Sequence, residues 1–390
     1  MLRTCVIALS DVTVDPRPRR NVALLDERGV EVTVVGYLPS RPPSTPYVSL
    51  DPPAWPILAK MQHAAGLALT RLAPGRAEQV YWRSPGAEPL LRAVRGVDAD
   101  LYVTHDLYAL PVAAKVARER GAHYAYEARE FYVGQHADRR PWRLLWPTYA
   151  DRLQQKYIGG AAWVSTVSDG LADWLADRYD LHERPTVVRS VPVRDVAPQD
   201  HALSDVWTVL FHGSLRPDRN VHGVIESVPH WQPHLRLVVR GDADRDYLDE
   251  LRALIDSLGV QDRVRLEPAV PVDQVVASAS VADIGVIPWA LDLPQKRFAL
   301  PNKLFEYLAA GLAVVQTGPS ESASLVDAAG AGRSYSPATP EALAACLNGL
   351  TTDDVRRQRA AARQLMSTTL TWDQEREKLW ALYERTGAAG

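Results

Sequence analysis

Short apolar runs alternate with longer stretches whose apolar positions recur every three or four residues, almost from one end of the chain to the other. That alternation predicts parallel strands joined by crossover helices, an α/β architecture. In the first half the strand candidates are 4–10, 31–37, 100–105, 123–128, 161–168 and 185–190, with helices over 16–28, 107–120, 145–158 and 169–178. A second series follows at 207–213, 235–241, 263–270, 282–289 and 313–317. Two doubly wound, Rossmann-like units are therefore expected in succession. Segment 191–205, VPVRDVAPQDHALSD, has neither period and is rich in Pro and Asp, so the join is placed there. The expected domains are 1–195 and 196–365, with a closing stretch 366–390 at the end of a long amphipathic pattern over 353–386. A chain of 390 residues is long enough to bury two cores. In open parallel sheets ligands bind beyond the carboxyl ends of the strands, so two facing sheets predict a cleft between the domains.

Composition narrows the function classes. With 46% hydrophobic and 23% charged residues and a formal net charge of -3, the chain is neither disordered nor suited to wholesale nucleic-acid binding. Its two cysteines, Cys5 and Cys346, lie too far apart in sequence for a disulfide framework or a zinc site, which fits a cytoplasmic setting. The start, MLRTCVIALS, lacks the pattern of a signal peptide, and no apolar run is long enough to span a bilayer. The aromatic and basic run 139–158 and the segment 54–73 leave a peripheral membrane contact or a greasy acceptor open beside ordinary helix packing.

The strongest local chemistry is in LPNKLFEYLAAGLAVV, 300–315. Asn302 reads as a helix N-cap, Leu304, Phe305 and Leu308 have helical spacing, and Gly311 reads as the stop. Lys303 then opens a helix, where its charge faces the positive end of the macrodipole unless an anion shares the place. A diphosphate is such an anion, and Glu306, one turn further on, is placed to accept hydrogen bonds from the vicinal hydroxyls of a ribose. A plain surface pair gives the same spacing, but LFHGSLRPDRN at 210–220 argues against it. There Gly213 and Ser214 allow close backbone approach at a strand exit, and Arg216 and Arg219 add two guanidinium groups. In the first half, His105 and Asp106 stand at another strand exit, with Asp106 expected to cap a helix. YEAREFYVGQHADRR at 126–140 crowds Glu127, Arg129, Glu130 and His136 after the next strand. The Asp pairs at 98–100 and 242–244 lack a third ligand, so no metal site is expected. No GxGxxG follows the first strand, and neither a P-loop nor a GxSxG occurs.

Together these segments resemble the GT-B glycosyltransferases, specifically the retaining family 4 group, over nearly the whole chain. The resemblance implies two Rossmann-like domains facing across a cleft, the first on the acceptor side and the second binding a nucleotide-diphosphate sugar, with the last helix returning to the first domain. It sets Arg219 and Lys303 on the donor diphosphate, with Arg216 as a neighbour added from spacing. Asn302 to Leu304 match the backbone segment at the phosphates, and Glu306 matches the glutamate that holds the ribose. Glu267, Pro268 and Val270 stand where the nucleobase is seated. His105 and Glu130 are the catalytic-side candidates, with Asp106 and Arg129 beside the acceptor. Two positions depart from the family: Phe298 replaces a second glutamate, and Arg129 replaces a frequent histidine. The implied reaction is retaining, metal-independent glycosyl transfer from a donor such as a UDP-sugar to a hydroxyl, without a cofactor. An epimerase of the same fold and a noncatalytic partner subunit are the competing readings.

Overall fold

A computed structural model describes residues 2–135, 140–193, 201–289 and 294–388. The chain forms two compact units, Met1–Arg189 with Arg376–Gly390, and Ser190–Glu375. The first holds a seven-stranded sheet of β1 (Arg3–Ile7), β2 (Glu31–Tyr37), β3 (Tyr47–Leu50), β4 (Leu101–Thr104), β5 (His123–Ala128), β6 (Val164–Thr166) and β7 (Thr186–Val187). Their order is β3-β2-β1-β4-β5-β6-β7. The second holds β8 (Trp207–His212), β9 (Leu235–Arg240), β10 (Val264–Glu267), β11 (Ile284–Ile287), β12 (Ala313–Thr317) and β13 (Gly332–Tyr335), in the order β10-β9-β8-β11-β12-β13. All described neighbours are parallel; Ile7 pairs with both Val35 and Thr104, and His212 with Arg240. Central strands such as Leu101–Thr104 and Ile284–Ile287 are buried along their whole length, as expected where helices cover both faces.

The expected strands are present, shorter at several ends, and two unexpected ones complete the sheets. β3 sits among prolines that mask it as a loop, and β13, GRSY, lacks both an apolar run and alternation; both are edge strands, where one neighbour suffices. The helix expected at 107–120 begins at Leu110. The helix expected at 145–158 runs Arg140–Ile158 and contains Pro147. The closing amphipathic stretch divides into Thr352–Thr368, started by a Thr351–Asp354 capping box, and Trp372–Tyr383. Part of the expected join, 194–200, lies outside the described residues. Among the described residues no helix is long and apolar enough to cross a membrane.

The end of the chain is bound into the first core. Leu379, Trp380, Leu382 and Tyr383 join one buried cluster with Val6, Leu25, Val34 and Val103. Arg376 pairs with Glu27 at 3.0 Å, and Arg28 stacks 5.0 Å over the Trp380 ring. Inside, the Tyr383 hydroxyl donates to Asn21 Oδ1 at 2.7 Å. Removing that hydroxyl leaves a buried carbonyl oxygen without its donor, which costs about 1–3 kcal/mol. The Tyr383→Phe protein should therefore unfold at a lower urea midpoint with an unchanged slope; an unaltered midpoint would show that the bond contributes nothing.

Candidate functional site

The second unit gathers its polar groups at the exits of β8, β9 and β10. β8 ends at His212, and the next residue, Gly213, turns with φ +111°, a backbone conformation that side chains rarely adopt. A methyl group added there would lie 3.8 Å from the Lys303 Nζ, so the glycine keeps open the space beside that amine. Lys303 belongs to the first turn of the helix Asn302–Ala309, is half-buried, and sits 3.8 Å over the Phe211 ring. It has no ion-pair partner among the described residues. Burial pushes its ammonium down to about 7, the Arg219 guanidinium pushes the same way, and Glu306 opposes both. A nearby anion would raise the pKa again by favouring the charged amine.

The neighbours are fixed from below. The His212 ring stacks on Tyr307 at 4.5 Å, the His212 N–H donates to the Tyr307 hydroxyl at 3.0 Å, and His212 Nε2 lies 2.9 Å from Glu306 Oε2. Tyr307 fits because β11 carries Gly285, where a Cβ would come within 2.3 Å of the phenol ring. Arg219 lies over Trp289 at 5.8 Å, with Asp218 3.7 Å away. Arg240 grips Glu267 through two nitrogens, at 2.9 and 2.8 Å, and Arg265 adds a contact at 2.7 Å. The Glu267 carboxylate is therefore committed to two arginines, and Pro268 and Val270 follow it on the exit loop. Arg216, more exposed, is turned onto Asp218 at 3.0 Å, and Ser214 is exposed. Asn302 is not the cap: Pro301 occupies that position without a side-chain bond, and Asn302 is the first helical residue. The Leu304 side chain is buried, so its backbone alone faces the helix start.

In the first unit the strand-exit charges are paired. His105 is fully buried, with Nδ1 against Glu127 and Nε2 3.2 Å from Asn21 Nδ2. Because Tyr383 donates to Asn21 Oδ1, the Asn21 amide N–H faces His105 and Nε2 must accept; the proton then resides on Nδ1. Arg17 meets the other oxygen of Glu127 and donates to the Val188 carbonyl at 2.8 Å. Burial would raise Glu127, yet Arg17 and His105 outweigh it and hold the carboxyl down to about 2. Asp106 is not a helix cap, since the helix starts at Leu110; its oxygens accept from the Leu9 N–H and from Arg129, each at 2.8 Å. Arg129 also donates to Asp15 at 2.8 Å, and these partners raise its pKa although burial works against them. Glu130 is half-buried against the Gln135 amide, and His136 lies outside the described residues. The Asp98 and Asp100 pair holds Arg3.

Residues 193–365 match the glycosyl transferases group 1 family. That span carries the Lys303 site, and the match supports glycosyl transfer as the reaction class. The fold is the GT-B architecture of two parallel α/β domains. HepE of Anabaena, solved in complex with UDP and glucose, has a TM-score of 0.73 at 14% identity, covering 98% of this chain and 100% of that chain. Sucrose-phosphate synthase from Thermosynechococcus elongatus gives 0.75 at 13% identity over 100% of both chains. WaaG, a glycosyltransferase involved in lipopolysaccharide biosynthesis, gives 0.65 at 16% identity, covering 99% of this chain and 100% of that chain. No curated protein matches in sequence.

The GT-B fold thus brings Gly213, Arg219, Lys303 and Glu306 into one neighbourhood, and separately joins Asp106 to Arg129. His105 has no exposed surface, so it holds the β4 exit and touches no acceptor in this structure. Sequence reasoning passed over His212, Tyr307, Arg240 and the Arg17–Glu127 pair. Gly285 inside an apolar strand signalled a close approach, and Tyr307 is what approaches.

Glu127 supplies a pH test. Its folded pKa lies below its ordinary value of 4.5, so its stabilising contribution is complete above that value and is lost as pH falls toward 2. Urea midpoints should fall on acidification from about pH 5 to about pH 3. The Glu127→Gln protein, destabilised throughout because Arg17 loses its carboxylate, should show a shallower fall. Parallel curves would remove Glu127 from the acid response.

Proposed function

We propose that this protein is a retaining, metal-independent glycosyltransferase of the family 4 type, using a nucleoside-diphosphate sugar, best matched by a UDP-sugar, and an acceptor hydroxyl. The observation that carries this reading is the half-buried Lys303 amine at a helix start, beside Gly213 and Arg219 and without a carboxylate ion-pair partner among the described residues. Fixed cations and helix N–H groups are the means by which a diphosphate is held without a metal. HepE in complex with UDP and glucose supports the nucleotide chosen. The unit Ser190–Glu375 is read as the donor side and the other as the acceptor side. The two free thiols, Cys5 and Cys346, fit a cytoplasmic setting.

In this reading the diphosphate lies on Lys303, Arg219 and the Lys303 N–H, while the Leu304 N–H is taken by the Pro301 carbonyl at 3.0 Å. Glu306, held by His212, accepts from the ribose hydroxyls, and the loop of Glu267, Pro268 and Val270 borders the base. Arg216 and Ser214 edge the phosphate loop. As the anomeric C–O bond breaks, its electron pair stays on the diphosphate, where Lys303 and Arg219 stabilise the developing charge. The acceptor oxygen forms the new bond from the same face, and its proton passes to the departing phosphate oxygen. Glu130 stands on the acceptor side, and His105 and Arg129 position it.

Lys303 gives the first test. An anion restores its charge, so UDP binding at about pH 8 should take up close to one proton, measured calorimetrically in buffers of different ionisation heat. Affinity should weaken as pH rises above 7. Lys303→Gln should abolish the uptake, and binding without proton uptake in the native protein would remove Lys303 from the diphosphate.

Turnover gives the second. Arg219→Ala should lower kcat by roughly 100-fold, whereas Glu306→Ala should raise the donor KM by roughly 10- to 100-fold. Turnover unaffected by the arginine change would overturn the diphosphate assignment. NMR of the product should show the donor's anomeric configuration; an inverted product would refute retention, and sugar released as its epimer would refute transfer.

A further inference from the structure

A cavity of about 560 Å³ opens in the first unit beyond the carboxyl ends of β1 to β4, where Leu9, Tyr37, Leu50 and Tyr108 face it. Further walls come from Tyr81, Ser84 and Leu90 and from segments 54–73 and 139–158, whose role the sequence left open. Trp55, Lys60 and His63 arrive from the first, and Trp142, Trp146 and Tyr149 from the second. We infer that this cavity receives an uncharged, ring-bearing, largely apolar part of the acceptor, an aryl or polycyclic aglycone, in preference to a sugar. This rests on the acceptor-side assignment made above.

The first argument is chemical. A sugar in water carries a hydroxyl on nearly every carbon, and a site that binds one must offer several carboxylate, amide or guanidinium groups to replace that hydration. Here the lining holds no amide or guanidinium side chain, and two of its polar groups are spent inside the protein. The Trp146 Nε1–H donates to the Tyr132 carbonyl at 3.1 Å, and the Tyr81 hydroxyl donates to the Tyr108 carbonyl at 2.5 Å. The charged residues of the lining, Asp51 and Lys60, are both exposed, so they belong to the rim. His63 lies edge-on between Trp55 at 5.1 Å and Tyr149 at 5.8 Å, and burial lowers its pKa, which keeps the ring neutral at physiological pH.

The second argument is geometric. The rings are braced against one another: Tyr108 on Trp146 at 5.7 Å, Trp142 on Trp146 at 5.8 Å and Trp146 on Tyr149 at 5.5 Å, with interplanar angles of 59°, 71° and 57°. Tilted and edge contacts of this kind hold the ring planes at fixed angles around the cavity, a wall set in advance for a rigid guest. The volume is that of a pocket for a ligand of several fused or linked rings, well beyond one hexose. A flexible alkyl chain would lose more conformational entropy on entering a fixed aromatic box than a rigid ring system does.

Calorimetry on the full chain, with no donor present, tests this directly. The probes are 2-naphthol for the ring system, 1-decanol for a chain of similar apolarity, and methyl glucoside for a sugar. Naphthol should bind one to one with a negative heat-capacity change, about tenfold or more tighter than decanol, and methyl glucoside should give no heat at the same concentration. Trp142→Ala, which removes one wall, should weaken naphthol about tenfold, and Ser84→Trp, which fills the cavity from its side, should abolish binding. UDP titrated into each variant serves as the folding control and should be unchanged. Absence of naphthol binding while UDP binds normally would overturn the inference and leave the donor reading standing. Decanol or methyl glucoside binding as tightly as naphthol, or naphthol binding untouched by Ser84→Trp, would overturn it as well.

Discussion

Every crossover in a parallel sheet carries the chain back to the same starting edge, so successive strands deliver their next polar residue to one common edge. The two faces are closed to polar chemistry because helices cover them; Leu101–Thr104 and Ile284–Ile287 have no exposed position between them. What remains for charge is the carboxyl rim. His105 follows β4, Glu127 lies in the last turn of β5, His212 ends β8, Arg240 ends β9 and Glu267 ends β10. None is near another of its group in sequence. The register of the sheets, which sets His212 beside Arg240 and Arg240 beside Glu267, makes them neighbours.

The two rims resolve their electrostatics in opposite ways. In the first unit the buried Arg17 meets Glu127, and the partly buried Arg129 meets both Asp15 and Asp106. Buried pairs of this sort contribute little net stability, but breaking one leaves an uncompensated charge, so they fix geometry strongly. In the second unit Lys303 has Arg219 as its charged neighbour, and Glu306 is drawn toward His212. The result is an amine whose charge burial and Arg219 disfavour and Glu306 only partly restores. A saturated rim suits a scaffold, and an unsaturated one suits an anionic ligand.

Much of this was legible in the sequence, for reasons that differ by residue. β2, β5 and β12 coincide with their predicted runs because interior parallel strands are buried over most of their length. β3 and β13 escaped because edge strands need less burial and tolerate prolines or polar residues nearby. Lys303 and Glu306 were readable because three-residue spacing puts both on one side of a helix. Asp106 and Asn302 were assigned caps because Asp and Asn favour caps locally, and in both cases longer-range structure decided otherwise. Asp106 is claimed by Leu9 and Arg129, and Pro301 takes the cap position ahead of Asn302. Pairs such as Arg17 with Glu127 have no local signature, since over a hundred residues of chain separate them.

The first unit's geometry also bears on where the acceptor's proton goes in the proposed reaction. A general base needs a lone pair facing the hydroxyl and a pKa near neutrality. His105 offers no such lone pair, because its Nε2 is taken by Asn21, its Nδ1 faces Glu127, and the ring is sealed from solvent. Arg129, at the position where the resemblance noted in the sequence implies a frequent histidine, is charged and has no lone pair to offer. Glu127 is held ionised far below neutrality by Arg17 and His105, so it is too weak a base and too deeply buried. Replacing a histidine by arginine would disable a mechanism that relied on an enzyme base at this position. It leaves intact one in which the departing diphosphate takes the proton, because that oxygen becomes basic as the glycosidic bond breaks. On this account Arg129 does not mark a dead scaffold: its charge, balanced by Asp15 and Asp106, holds the β4 and β5 exits rigid while the proton transfer takes place on the substrate.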